Sequence, residues 1–313
     1  MTAFLSRRGV IYSFAVLSMA FWGMSFVWTK IVFETWGPLT VVILRMLFSS
    51  AMLWIVSWTF RLNEHVRRSD YKWFFLLGFF EPFCYFLGES FGLLEVSASI
   101  GALIIATIPV FMTLIAPLAG ERWTAPGLVG VFVSFVGVFL IVVSGDMQFQ
   151  HSPKGILLLF FAVFAALGYN FMTKRLAPLY RPITIVKIQN ALGFVFFLPL
   201  FVIFELRDFL KITPSTTAVQ SLISLTLFAS TVAFLMFVHV IAKIGVVRAN
   251  VFTNLVPVFA ALFSYVLLSE HFDGRKIIGM IFILVGVFIA QFYFGRDFKS
   301  ASIVASSGNG RAS

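Results

Sequence analysis

Charge is what this sequence has least of. Only 12% of its 313 residues are Asp, Glu, Lys or Arg, about half the share of a soluble domain, and that excludes an ordinary water-facing surface. Cysteine is scarcer still. Cys84 is alone, so no disulfide forms within the chain and no Cys/His metal spacing exists; set in an apolar run, it reads as a small buried hydrophobe. No G-x-x-x-x-G-K-[ST] loop occurs, so ATP does not drive the protein from within. No H-E-x-x-H, G-x-S-x-G or paired Asp/His arrangement supports an intramembrane enzyme. A channel is disfavoured because no ring of repeated filter residues is present. Neither a cofactor nor a metal is expected.

Apolar residues fill the space that charge leaves. They make up 60% of the chain, with 41 phenylalanines and a mean hydropathy of +0.99. Continuous runs of about 18 apolar residues read as membrane-spanning helices, and this chain has many, so the expected fold class is an all-α integral membrane protein. Ten spans are expected, at about 10–32, 38–60, 72–94, 97–118, 125–144, 155–173, 182–204, 217–241, 247–268 and 276–294, separated by Gly, Pro and charged clusters. The first run follows Arg7 and Arg8 and resembles a signal peptide, but it continues to Lys30 and is long enough to span.

The net charge of +10 would suggest nucleic acid for a soluble protein. Here the basic residues sit in short loops, where they orient helices. With the N-terminus in the cytoplasm, inner segments hold fifteen Lys and Arg and outer segments six, so both termini are expected in the cytoplasm. The tail 296–313 is small and polar and reads as disordered. The expected partners are a small-molecule substrate and the lipid bilayer, with a homodimer left open and nucleic acid excluded.

The chain also repeats itself. IPVFMTLIAPLAGER at 108–122 returns as VPVFAALFSYVLLSE at 256–270, pairing Pro109 with Pro257 and, after one inserted residue, Glu121 with Glu270. VGVF at 136–139 pairs with VGVF at 285–288, Gly23-Met24-Ser25-Phe26 with Gly168-Tyr169-Asn170-Phe171, and Pro38-Leu39-Thr40 with Pro182-Ile183-Thr184. Two five-helix units follow, 1–148 and 149–295. Five is odd, so the second enters the membrane from the opposite side, an inverted repeat of the sort that builds many secondary transporters with a site at mid-membrane. Pro109 and Pro257 lie near the bilayer centre, and each removes the amide partner of the carbonyl four residues back, Ile105 and Thr253. Such a carbonyl is costly unless it faces protein or water, so the pair suggests a polar cavity, with simple structural kinks as the competing account.

GERWTAPGLVGVFVSFVGVFLIV at 120–142, its echo SEHFDGRKIIGMIFILVGVFIAQ at 269–291 and WGMSF at 22–26 together resemble the EamA family of the drug/metabolite transporter superfamily, over residues 8–295. The resemblance implies ten helices around a central cavity and transport of small metabolites or amino acids, commonly outward. It implies no particular substrate.

Ionisable residues at bilayer depth are functional candidates. Glu81 lies near the midplane before Pro82, within reach of the Gly78 carbonyl that Pro82 frees; it is the candidate for proton coupling, or else a neutral acid tying down a kink. Arg45 and Glu89 fall roughly 7–11 Å below the outer surface at 1.5 Å per residue. A buried ion pair is expected there, ahead of contact with an anionic substrate. The second copy places Gln189 where Arg45 stands and adds Asn170, Asn190, Asn250 and Asn254, amides suited to a zwitterion or a planar base or to interhelical bonding. Lys187 and His239 are expected to snorkel, and Trp28 and Trp36 to anchor at the interface. Trp22 and Ser25 are expected to line the cavity.

The function expected from these residues is a secondary transporter of the bacterial inner membrane, moving an amino acid or related compound outward by alternating access. A lipid or amphiphile flippase is the alternative. The topology is directly testable. A cytoplasm-only reporter fused after residue 299 and a periplasm-only reporter in the 146–154 loop should both be active; an active cytoplasmic reporter in that loop would mean that the first half has a different number of spans.

Overall fold

The computed structural model describes residues 8–115, 125–142 and 152–289, and among these every regular element is helical. The expected tail at 296–313, Glu121 and most of the loop at 143–151 lie outside the described residues. Six helices are long and apolar enough to cross a membrane. They are α1 (Arg8–Phe33), α2 (Pro38–Thr59), α3 (Arg68–Glu95), α7 (Pro153–Leu176), α8 (Pro182–Phe204) and α10 (Thr216–Ile244). Between and after them come shorter pieces: α4 (Ala98–Ile105), α5 (Ile108–Leu114), α6 (Ala125–Val142), α9 (Leu206–Phe209), α11 (Val246–Phe252), α12 (Leu255–Leu267) and α13 at 274–289.

The burial pattern is the reverse of a soluble protein's. Trp58 is 76% exposed, Leu157 72%, Phe132 69% and Ile203 70%, while Arg45, Glu81, Glu89, Gln189 and Asn190 are all buried. A shell of large apolar side chains around polar ones is what hydrocarbon solvent selects, since polar groups there must find partners inside the protein. The chain is an integral membrane protein.

Two stretches expected as continuous spans are each broken. The helix at 97–118 divides into α4 and α5 at Ala106–Thr107, and that at 247–268 into α11 and α12 at Thr253–Asn254. Pro109 and Pro257 therefore sit in the first turn of the following half-helix. There a missing amide costs nothing, because the first four amides of a helix have no intrahelical partner. The Thr253 carbonyl, expected to be orphaned by Pro257, accepts from the Val256 amide at 3.0 Å. The break thus satisfies itself with a tighter turn.

The described chain divides into two compact units, Met1–Ile105 with His151–His271, and Ala106–Gln150 with Phe272–Ser313. In the smaller unit α6 and α13 cross through small residues. A Cβ at Gly137 would lie 2.6 Å from the Gly279 carbonyl oxygen and 2.7 Å from the Ile283 amide, and one at Gly286 would collide with Ser134 and Gly130. The two VGVF segments owe their glycines to this reciprocal contact, which brings the backbones together in lipid.

In the larger unit α2 and α8 run antiparallel and are clasped at both ends. The Glu205 carboxylate, just past the end of α8, accepts from the amides of Leu39 (3.1 Å) and Thr40 (2.7 Å) and from Thr40 Oγ1 (2.6 Å). It caps α2 where Gly37 has no side chain to do so. At the other end the Glu64 carboxylate, past the end of α2, accepts from the Arg181 amide at 2.9 Å, directly before α8. Nearby, Tyr180 donates to Asp70 at 2.6 Å. Glu270 performs the same service for α4, accepting from Ser97 Oγ at 2.6 Å, from Ser99 Oγ and from the Ser99 amide at 3.4 Å. An anion at a helix N-terminus meets the positive end of the helix dipole. Replacing Glu205 with Ala should destabilise the protein by about 1–2 kcal/mol, read as a lower Tm in detergent, and Glu205→Gln should lose less because the amide oxygen still accepts. An unchanged Tm for Glu205→Ala would show that the cap contributes nothing.

Candidate functional site

The long helices α3 and α10 each carry a π-helical stretch, Phe79–Cys84 and Leu225–Ala233. They are the third spans of the two sequence repeats. A π turn loosens the backbone ladder and often marks a functional site, and the stretch in α10 is where the polar side chains converge.

The Phe234 amide bonds to the Thr231 carbonyl, three residues back, and side chains of other helices reach the Ser230 carbonyl. It accepts from Asn190 Nδ2 on α8 at 3.1 Å and lies 3.2 Å from Ser49 Oγ on α2. Asn190 Nδ2 also donates to Ser49 Oγ at 2.7 Å. Ser49 Oγ lies 2.6 Å from Thr231 Oγ1, whose own proton reaches the Thr226 carbonyl at 2.8 Å, so Ser49 is the donor of that pair. Arg45, one turn before Ser49, donates from Nε to Ser230 Oγ at 3.0 Å. From α1, Trp22 Nε1 donates to the Ala229 carbonyl at 3.3 Å and packs edge-on against Phe234 and Phe237. Three expected site residues, Trp22, Arg45 and Asn190, thus meet on one distorted turn.

Sequence reasoning missed their partners Ser49, Ser230 and Thr231. All three are at most 1% exposed. The available signal was a cluster of small hydroxyl residues in mid-span, which is as common in plain helix packing.

A second polar pair joins α7 to α11. Asn250 Nδ2 donates to Asn170 Oδ1 at 3.0 Å, and Asn170 Nδ2 donates back to the Ala166 carbonyl at 2.8 Å. Asn254 is half-buried at the α11–α12 break, next to buried Pro257. Ser25 spends its proton on the Trp22 carbonyl at 2.7 Å. Gln189 is fully buried, and neither end of its amide has a hydrogen-bond partner. Gly23 lets α1 approach α12 closely, for a Cβ there would lie 2.9 Å from the Ala260 amide. Pro109 is buried in the smaller unit.

Several expectations about charges change. Arg45 and Glu89 are both buried, at 3% and 7% exposure, but they are not in contact: among the described residues the one ion pair within 4 Å is Lys154–Glu95 at 3.2 Å. Arg45 instead lies over the Phe86 ring, 4.6 Å from its centre, and Glu89 Oε1 accepts from the Tyr85 hydroxyl at 2.8 Å. Each group has a local partner that holds it short of the other.

Glu81 is buried, yet it does not bond the Gly78 carbonyl. Its backbone leaves the helix (φ −145°, ψ 117°), so the expected one-turn geometry does not exist. Lys187 does not snorkel. It is 3% exposed, its Nζ donates to Ser57 Oγ and Asn63 Oδ1 at 2.9 Å each, and it lies over Trp54. Trp36 is buried in an apolar cluster with Val32, Val41 and Leu225. Cys84 is only half-buried. Among the described residues no group of three or more His, Cys, Asp or Glu is placed to hold a metal.

This arrangement, polar side chains from several helices converging inside a lipid-facing shell, can be compared with known proteins. A crystal structure sharing 15% identity superposes with a TM-score of 0.65 over 93% of this chain and 99% of the other, which establishes the fold likeness alone. An uncharacterized transporter of Archaeoglobus fulgidus is 27% identical over 277 residues, covering 87% of this chain and 94% of its own. A probable terminal-alkyne amino-acid exporter of Streptantibioticus cattleyicolor is 26% identical, covering 88% and 91%. A probable amino-acid metabolite efflux pump of Salmonella typhimurium is 25% identical, covering 90% and 94%. The model of the EamA-like transporter family matches twice, over residues 9–143 and 153–292. With both halves of the sequence matched and transporters among its relatives, this chain belongs to the EamA-like transporter family.

Proposed function

We infer that the protein is a secondary transporter that exports an amino acid or related small metabolite across the cytoplasmic membrane by alternating access. The observation that carries the reading is the set of buried polar groups on α1, α2, α7, α8, α10 and α11, held inside an apolar shell by helices from both sequence halves. A fully satisfied network would read as structural glue alone. Gln189, with no partner at either end of its amide, supports a site that expects a ligand.

On this reading the chain is two inverted five-helix repeats, 1–148 and 149–295, with ten spans and both termini in the cytoplasm. The doubled family match and the π stretches in both third spans support it. Within the larger unit, Trp22, Ser25, Asn170, Gln189, Asn190, Asn250 and Asn254 face the substrate path, and the break before Pro257 supplies the unwound backbone that discontinuous helices offer to substrates; in the smaller unit Pro109 follows a like break. The relatives named as an amino-acid exporter and an amino-acid metabolite efflux pump support both substrate class and direction; neither they nor the family favour lipid flipping.

An untargeted comparison of metabolites inside and outside cells, with and without the protein, should show an amino acid or a close derivative accumulating outside only when the protein is present. No difference between the two cultures would remove the export reading.

Glu81 is the coupling group on this reading. It is buried and stands where α3 departs from helical geometry. Glu81→Gln keeps the size but carries no exchangeable charge. In proteoliposomes it should abolish transport against a gradient while exchange of internal for external substrate persists, with Tm unchanged. Concentrative, proton-dependent transport by the variant would end the coupling role.

A further inference from the structure

Burying a guanidinium and a carboxylate is costly unless the two make direct contact with good geometry. Arg45 of α2 lies over the Phe86 ring of α3, and Glu89 is three residues on along that same helix; both charges are buried and still do not touch. Arg45 is pinned through Nε on Ser230 Oγ and through its face on Phe86. Its two terminal nitrogens, Nη1 and Nη2, donate to no described residue. Glu89 is pinned through Oε1 by Tyr85, one turn earlier on α3, and Oε2 accepts from none. Each charge is therefore pinned by neutral neighbours, with its strongest binding atoms unused. An ion-pair lock would use those atoms on each other.

We propose that the gap between Arg45 and Glu89 is the head-group site for a zwitterionic α-amino acid, with the substrate carboxylate on Arg45 Nη1 and Nη2 and its ammonium on Glu89 Oε2. The planar guanidinium presents two parallel donors that match a carboxylate, and the ammonium supplies the donors that Glu89 lacks. A zwitterion completes both charges at once. An anion would satisfy Arg45 and be repelled by Glu89, and a cation would do the reverse. The proposal rests on the amino-acid reading of the transported substrate and adds its orientation and the residues that select it.

The test uses the purified full-length protein in detergent and direct binding of the twenty proteinogenic L-amino acids. For the tightest binder, the α-carboxamide and the deaminated acid are then measured. The wild type should bind each analogue about 10- to 100-fold more weakly than the parent, the range for losing hydrogen bonds to charged groups. Arg45→Gln should weaken the parent by a similar factor and leave the carboxamide within about threefold, since that analogue has no carboxylate to lose. Glu89→Gln should mirror this, weakening the parent and sparing the deaminated acid. Arg45→Lys, which keeps the charge without the fork, should fall between wild type and Arg45→Gln.

The analogue series on the wild type decides the matter even where a variant fails to fold. Equal wild-type affinity for the parent and both analogues would overturn the clamp, as would an Arg45→Gln protein that loses parent and carboxamide alike. If the wild type transports amino acids without this crossed pattern, the clamp falls and the amino-acid reading stands. If it binds and transports none of the twenty, both fall.

Discussion

A polar group inside a membrane must have a partner, and the centre of this protein is organised around the Ser230 carbonyl, which takes a side-chain donor from another helix. On the π-helical stretch of α10 the Ser230 carbonyl accepts from Asn190 of α8, which also bonds Ser49 of α2 beside it. That requirement draws three helices into register. It sets Arg45, one turn from Ser49, against the Ser230 hydroxyl, and the neighbouring Ala229 carbonyl accepts from Trp22 of α1. In water such a carbonyl would simply be hydrated. In hydrocarbon it determines which polar side chains can sit at the core.

The same demand at the helix ends is met by acids from distant parts of the chain. Glu205 caps α2, Glu64 receives the amide before α8, and Glu270 caps α4. The first two form a reciprocal pair: the acid after each helix serves the start of the other. Together with the Asn190–Ser49 bond at mid-length, they bind α2 and α8 along their whole antiparallel contact. A helix from each sequence half is thus held as one element.

Buried charge in this protein is managed by local neutral partners. Arg45 has a hydroxyl and an aromatic face, Glu89 a tyrosine hydroxyl, and Lys187 a serine, an asparagine and a tryptophan. Hydroxyls and ring faces stabilise an ion less than an opposite charge does, but they leave it available. In a transporter that availability has a purpose, since a charge already locked in an ion pair recognises nothing else.

Sequence alone determined the solvent, the helical class and the family, because each depends on properties summed over many residues. Apolar run length, loop charge and doubled motifs survive errors at single positions. It also singled out Arg45, Asn190 and Trp22, since polar groups in apolar runs are conspicuous. Only the tertiary structure decided what those groups touch. The breaks at Ala106–Thr107 and Thr253–Asn254, the loss of helical geometry at Glu81 and the separation of Arg45 from Glu89 each turn on angles and distances of a residue or two. Helical spacing places side chains correctly only while the helix is regular, and this protein departs from regularity at the very turns where its polar groups meet.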